Sequence, residues 1–148
     1  MNTVAAAGAG FLLAVLWFDL MFDVQVLGKG EGVLPEEALD SIAGYYRRVT
    51  TAARPMNRLI VLAMLVTLAA IVAEIVRGDV AAWLAWTSLV LAAAPISLAA
   101  LRVVPNAERL GARGDTVAEQ SALARSICRE HLLCLASIAA VIALQIAA

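Results

Sequence analysis

Apolar residues are concentrated in four long stretches of the chain, at about residues 4–27, 56–76, 80–104 and 128–148. An α-helix needs about 17–25 residues to cross the hydrocarbon core of a bilayer, and each stretch reaches or approaches this length. The sequence lacks the series of short alternating segments that is typical of a membrane β-barrel. The pattern therefore predicts four transmembrane helices that form a single domain over residues 1–148.

The polar segments between these stretches predict how the helices are connected. A very short turn separates the second and third stretches, so these two helices must form an antiparallel hairpin. In LPEEALDSIAGYYRRVTTAARP, residues 34–55, apolar residues recur at helical spacing. This recurrence predicts a helix that can lie on the bundle or on the membrane surface. We expect an all-α membrane protein, an antiparallel bundle of four transmembrane helices with an amphipathic cytoplasmic helix between helices 1 and 2.

The composition supports lipid as the solvent of this chain. Hydrophobic residues make up 63% of its 148 residues and charged residues 16%, against about 45–50% and about 25% in soluble domains. A soluble domain of this length could not bury so much apolar surface. The net charge of −1 gives no reason to expect a nucleic-acid partner.

The positions of the basic residues predict the orientation in the membrane. Ten of the eleven lie in or beside the two long loops, and cytoplasmic loops carry an excess of Lys and Arg. The loops at residues 28–55 and 105–127 should therefore be cytoplasmic, with both termini outside. We expect a multi-pass protein of a bacterial-type inner (plasma) membrane. The ten are Lys29, Arg47, Arg48, Arg54, Arg58, Arg102, Arg109, Arg113, Arg125 and Arg129.

Two acidic residues, Asp19 and Asp23, interrupt the first apolar stretch. Asp19 lies about 22 Å along a helix that starts near Val4, within a hydrocarbon core about 30 Å thick. Residues four apart project from one helical face. A carboxylate at the bilayer centre costs about 2.5–3.5 kcal/mol. Asp19 should therefore face the bundle and have a functional role or an essential buried partner, whereas Asp23 could reach water.

Polar residues at the cytoplasmic ends of the other three helices are the candidate partners of these acids. We expect all four helix ends to meet in one polar layer, although any single arginine could instead be an interfacial anchor. The candidates are Arg54, Asn57 and Arg58 on helix 2, Arg102 and Asn106 near the end of helix 3, and Arg125, Arg129, Glu130 and His131 on helix 4.

His131 is the single histidine of the chain, and its ordinary pKa of about 6.5 would suit a general base. The alternative is that it merely caps the polar layer. One histidine cannot form a two-histidine metal triad, so we expect no metal site and no cofactor. Cys128 and Cys134 are expected to be packing residues on the reducing side of the membrane.

Two further features concern the apolar parts of the helices. Ala6, Gly10 and Ala14 share one face of helix 1, and small residues at this spacing let membrane helices approach closely. Close packing inside the bundle explains this face better than a dedicated dimer motif. Glu74, near the outer end of helix 2, should pair with Arg77 or reach solvent.

Four short motifs, FDLMFDVQVL, YYRRVTTAARPMNRL, VVPNAERL and the Arg-rich run with a histidine that enters helix 4, resemble the anthrone-oxygenase-like family of small four-helix membrane proteins. The resemblance implies oxidation of a lipophilic phenolic or quinone-like aromatic with O₂ and no dedicated cofactor. It implies that Asp19 or His131 is the catalytic base. The residues that it assigns to substrate binding are Trp17, Asp23, Arg54, Asn57, Asn106 and Arg129.

Two other functions fit the same sequence. The first is a non-enzymatic membrane subunit or homo-oligomeric scaffold, which the small-residue faces favour. The second is a small transporter with Asp19 as its proton or cation site, which is less favoured because such proteins have charges nearer the middle of the membrane and internal repeats.

Overall fold

The structure, a computed structural model, describes residues 3–147 except for the side chain of Arg54. Within that range it is helical, with no strand. A 3₁₀ turn, Val24–Val26, and two π-helical turns, Arg48–Ala52 and Ala99–Val103, extend or connect the α-helices. The α-helices are α1 (Thr3–Asp23), α2 (Glu36–Arg47), α3 (Arg54–Arg77), α4 (Ala82–Leu98), α5 (Val104–Ala112) and α6 (Val117–Ala147).

Four helical segments are long and apolar enough to cross a membrane, and they form one bundle. α1 packs against α3 and α6, and α4 packs against the same two helices, so every neighbour in the ring is antiparallel. The predicted fold class is therefore confirmed. The fourth spanning helix begins at Val117, so the polar run before the predicted span at residues 128–148 is part of the same helix.

The amphipathic segment forms α2, which lies beside α5 at the end of the bundle that carries most of the basic residues, here called the basic side. The acidic first turn of α2 complements the positive end of its helix dipole. Its apolar stripe is buried against α5 and α6, so α2 lies on the bundle and not on the membrane surface. The buried residues of this layer include Leu39, Ile42, Ala43, Tyr46, Leu110 and Ile127.

Contacts with α6 and α5 fix the start of α2. The Arg125 Nη2 donates to the Gly32 carbonyl at 2.5 Å, and Ser121 Oγ accepts the Leu34 backbone N–H at 3.0 Å. At the end of α5, Arg113 forms ion pairs with Glu36 and with Asp40 of α2. These polar contacts join both the connecting segment and the first turns of α2 to the bundle.

Small residues set the distance between α1 and α3 inside the membrane. A Cβ added to Gly8 would lie 2.1 Å from Thr67 Oγ1, so the two helices are in close contact at this point. Ala5 and Ala9 are fully buried in the same apolar core. The small-residue face predicted from Ala6, Gly10 and Ala14 takes only a partial role in this packing, because Gly10 is half-buried and Ala14 is exposed.

Gly111 allows α5 to pack on the end of α2. A Cβ at this position would lie 2.8 Å from the backbone nitrogen and 3.0 Å from the Cα of Arg47. Backbone atoms cannot move away as the end of a flexible side chain can. The absence of a side chain at Gly111 is therefore a condition for the contact between the two helices.

We predict that Gly111→Ala destabilises the protein by about 1–3 kcal/mol, the usual effect of overpacking. The measurement is the thermal unfolding midpoint in detergent. Gly44→Ala is the matched control, since a Cβ there meets no atom within 4 Å in the middle of α2. It should raise the midpoint slightly, because alanine favours a helix by about 0.5–1 kcal/mol over glycine. Equal midpoints for the two variants would contradict this account.

Candidate functional site

The two aspartates of α1 both face the interior of the bundle. The side chain of Asp23 is 0% exposed and that of Asp19 is 16% exposed. The end of the bundle opposite the basic side is here called the outer side. At 1.5 Å per residue, Asp19 lies about 24 Å from the outer end of α1, inside a hydrocarbon core about 30 Å thick. Both carboxylates therefore need partners within the protein.

Two consecutive tyrosines of α2 supply hydrogen bonds to these carboxylates. The Tyr45 hydroxyl donates to Asp19 Oδ1 at 2.5 Å, and the Tyr46 hydroxyl donates to Asp23 Oδ1 at 2.6 Å. The Tyr45 ring also stacks on Phe22 of α1, with centroids 4.2 Å apart and planes within 9°. Asp19, Phe22 and Asp23 together hold α2 against α1.

His131 of α6 completes the arrangement. Its Nδ1 lies 2.6 Å from Asp23 Oδ2, and its Nε2 lies 3.9 Å from Asp19 Oδ2. His131 is about 24 Å from the outer end of α6, at the depth of Asp19 on the antiparallel α1. We call Asp19, Asp23, Tyr45, Tyr46 and His131 the carboxylate–tyrosine–histidine cluster.

Burial raises the pKa of both tyrosine hydroxyls above the ordinary value of 10.0, and the adjacent negative charges of Asp19 and Asp23 raise it further. Tyr45 and Tyr46 therefore remain neutral donors at physiological pH. Each oxygen of Asp23 has a partner, one being Tyr46 and the other His131. The cluster can hold three helices together and keep two carboxylates in place inside the membrane.

The structure brings together three of the predicted site residues, Asp19, Asp23 and His131. The sequence reasoning missed the tyrosines as partners of the acids, since it looked for those partners only at the ends of the other three spanning helices. The available signal was Tyr46 in the apolar stripe of α2, where a buried hydroxyl needs a partner.

The remaining predicted site residues lie elsewhere. The Asn57 Nδ2 donates to the Val49 carbonyl at 2.9 Å and so stabilises the turn before α3. Asn106 is half-buried and Arg129 is exposed, with no hydrogen bond to the cluster. The side chain of Trp17 is 63% exposed on the surface of α1, so it cannot stack on a ring inside the bundle. The side chain of Arg54 is outside the part of the chain that the structure describes, so its role in substrate binding stays a prediction.

A second polar group links three helices near the outer side. The Gln145 Nε2 donates to Glu74 Oε2 at 3.0 Å and lies 3.5 Å from Ser88 Oγ. Glu74 is 1% exposed. The predicted pairing with Arg77 or with solvent is therefore wrong, because Glu74 faces α6 and Arg77 pairs with Asp79 at 2.6 Å.

The sequence was compared with protein-family models, curated proteins and solved structures. The model SHR3_chaperone, described as "ER membrane protein SH3", matches residues 3–148. The chain belongs to this family. No curated protein and no solved structure matches the chain.

Membership of the ER membrane protein SH3 family corrects two expectations. The assignment to the anthrone-oxygenase-like family is wrong, and the lipophilic aromatic substrate loses its support with it. Acidic, arginine and histidine residues at helix ends satisfy the general requirements of a polar layer, so short motifs of this kind recur in unrelated bundles. The expected bacterial-type inner membrane is wrong as well, since the family consists of ER membrane proteins.

The geometry of the cluster predicts that Tyr45→Phe and Tyr46→Phe lower the unfolding free energy by different amounts. Tyr46→Phe removes a donor from a fully buried carboxylate and should lower the unfolding free energy by about 1–3 kcal/mol. Tyr45→Phe should cost less, because the bond between Tyr45 and Asp19 is only partly buried, whereas the bond between Tyr46 and Asp23 is fully buried. Thermal unfolding in detergent measures both. A loss for Tyr45→Phe as large as that for Tyr46→Phe would contradict the assignment.

The raised pKa values predict the alkaline behaviour of the protein. The chain has two tyrosines, both in the cluster, so its tyrosinate absorbance reports on the cluster alone. A pKa raised on folding stabilises the protein below the ordinary value of 10.0. This contribution declines above that pH, since ionisation then favours the unfolded chain. Absorbance at 295 nm should therefore rise only together with the loss of helix. Tyrosinate that forms in a fully helical protein would contradict the prediction.

Proposed function

We propose that the protein is a non-enzymatic, chaperone-type protein of the endoplasmic reticulum membrane, which binds other membrane proteins while they fold or assemble. The observation that carries the proposal is the match of the SHR3_chaperone family model over residues 3–148. Because the match extends over the whole bundle and the basic-side helices, the proposal concerns the complete fold and not one motif.

The lipid-facing surface supports this proposal. An open groove of about 450 Å³ runs between α1 and α6. Small residues along it would let another helix approach closely, and association in membranes depends on such packing. Aromatic side chains lie at its basic end. The residues that line it are Gly10, Leu13, Ala14, Trp17, Phe18, Leu135 and Ala139.

For the carboxylate–tyrosine–histidine cluster we propose a positioning role in place of catalysis. A general base needs a free lone pair beside an open space for its substrate. In Asp23 both oxygens are occupied, and neither aspartate lines the groove between α1 and α6. The cluster would instead hold α2 and the basic-side layer in a fixed position against α1 and α6.

The orientation in the endoplasmic reticulum follows from the same charge asymmetry that the sequence shows. The positive-inside rule places the basic side, with α2 and α5, in the cytosol and the outer ends of the bundle in the lumen. A client helix would then meet the bundle within the bilayer, whereas α2 and α5 would stay accessible to cytosolic factors.

We predict that co-expression of the chain with a multi-pass transporter that aggregates on its own raises the monodisperse fraction of that transporter. The effect should be stoichiometric and saturate near one chain per client, because a chaperone of this kind acts by binding. Fluorescence-detected size-exclusion chromatography of a tagged client measures it. Ala14→Leu, which fills the groove between α1 and α6, should reduce the effect, and Ala94→Leu on the exposed side of α4 is the matched control.

An unrelated four-helix membrane protein expressed at the same level controls for nonspecific effects. An equal monodisperse fraction with either protein would reject the chaperone function. Conversion of an added small molecule by the purified chain, lost in His131→Ala, would favour an enzyme instead.

A further inference from the structure

Three arginines form an exposed group where α2 passes into α3. Arg47, Arg48 and Arg58 are all exposed, and none of them forms an ion pair with a described residue. By contrast Arg77, Arg102, Arg109 and Arg113 each pair with an acid. We call the three unpaired residues the arginine group.

A hydrogen bond joins the two segments that carry these arginines. The Asn57 Nδ2 donates to the Val49 carbonyl at 2.9 Å. The bond therefore holds the π-helical turn that begins at Arg48 against the start of α3, where Arg58 is the fifth residue. Two segments that each carry an exposed arginine are thus joined at this point.

Arg58 belongs to a helix that is long and apolar enough to cross the membrane. Arg58 is four residues before Leu62, so the two share one stripe of α3. Leu59 and Leu62 are exposed on this spanning helix and must contact lipid. Arg58 therefore lies near the basic end of this span, from which its long side chain can extend to the headgroups.

An apolar groove of about 410 Å³ continues from this point along α1 and α3. It begins at Leu59, next to Arg58 in the chain, and runs toward the outer side. Its walls consist almost entirely of aliphatic and aromatic side chains. They are Thr3, Val4, Ala7, Gly8, Phe11, Leu59, Leu62, Ala63 and Val66.

We propose that this surface is a binding site for an anionic glycerophospholipid of the leaflet on the basic side. The headgroup phosphate binds Arg48 and Arg58, with Arg47 adding positive charge, and one acyl chain occupies the groove between α1 and α3. Guanidinium groups bind phosphate oxygens in a bidentate manner. Three arginines without an acidic partner favour an anionic headgroup over a zwitterionic one. This lipid site is separate from the groove between α1 and α6.

The test is native mass spectrometry of the purified protein titrated with phosphatidylserine or with phosphatidylcholine. We expect the wild type to retain one phosphatidylserine in preference to phosphatidylcholine. The double variant Arg48→Gln/Arg58→Gln should bind phosphatidylserine about 25-fold more weakly, since each basic residue near a membrane surface contributes about fivefold. Arg77→Gln is the matched control, an exposed arginine at the other end of α3, and should bind as the wild type does.

A second pair of variants tests the groove without changing charge. Ala7→Leu fills the groove between α1 and α3 and should lower phosphatidylserine retention, whereas Ala94→Leu on α4 should not. Elution as a monodisperse peak shows that each variant is folded.

Retention by the double arginine variant equal to that of the wild type would overturn the proposal. Equal retention of the two lipids by the wild type, or none of either, would overturn it as well. Unchanged retention by Ala7→Leu would reject the acyl-chain part. None of these results depends on whether the protein acts as a chaperone.

Discussion

A carboxylate inside the hydrocarbon core of a bilayer is unfavourable by several kcal/mol unless the protein supplies hydrogen bonds or opposite charge. Asp19 of α1 is such a group, and Asp23, one turn further along α1, is fully buried inside the protein. Their partners come from α2, through two tyrosine hydroxyls, and from α6, through His131. The hydrogen bonds to these acids therefore hold α2 and α6 against α1. The position of α5 follows from its contact with α2, which the missing side chain at Gly111 allows.

The outer side of the bundle satisfies the same requirement in a different way. Glu74 is bonded to Gln145, which also lies near Ser88, so α3, α4 and α6 meet at one amide. Between the two polar groups the helices are held by apolar packing, and α1 and α3 are in close contact where Gly8 meets Thr67. Polar contacts inside the protein thus fix both ends of the bundle, and the surface that contacts lipid is where we place the interactions with clients and lipids.

The sequence predicted much of the fold because lipid imposes simple rules. Hydrophobic length predicted four spanning helices, and the spacing of apolar residues predicted α2. It also predicted that Asp19 faces the bundle and that His131 lies near it. The expectation that Asp23 could reach water was wrong, because the side chain of Asp23 is fully buried between Tyr46 and His131. The tyrosines were missed, since a tyrosine beside a membrane most often belongs to an interfacial belt, and residue type alone does not show which way its hydroxyl points. Short motifs led to the wrong family because arginines and acids at helix ends reflect membrane topology as much as ancestry.

By itself, the sequence determined that this protein spans a membrane with four helices, that its basic residues gather on one side, and that its first helix carries acids that need partners. These properties depend on length, composition and spacing along one segment. Only the tertiary structure decided which partners the acids have, that Glu74 faces Gln145 and not Arg77, and that Trp17 faces outward. Those outcomes depend on the rotation of each helix about its axis and on the order of helices around the bundle, and both are set by packing between residues far apart in the chain.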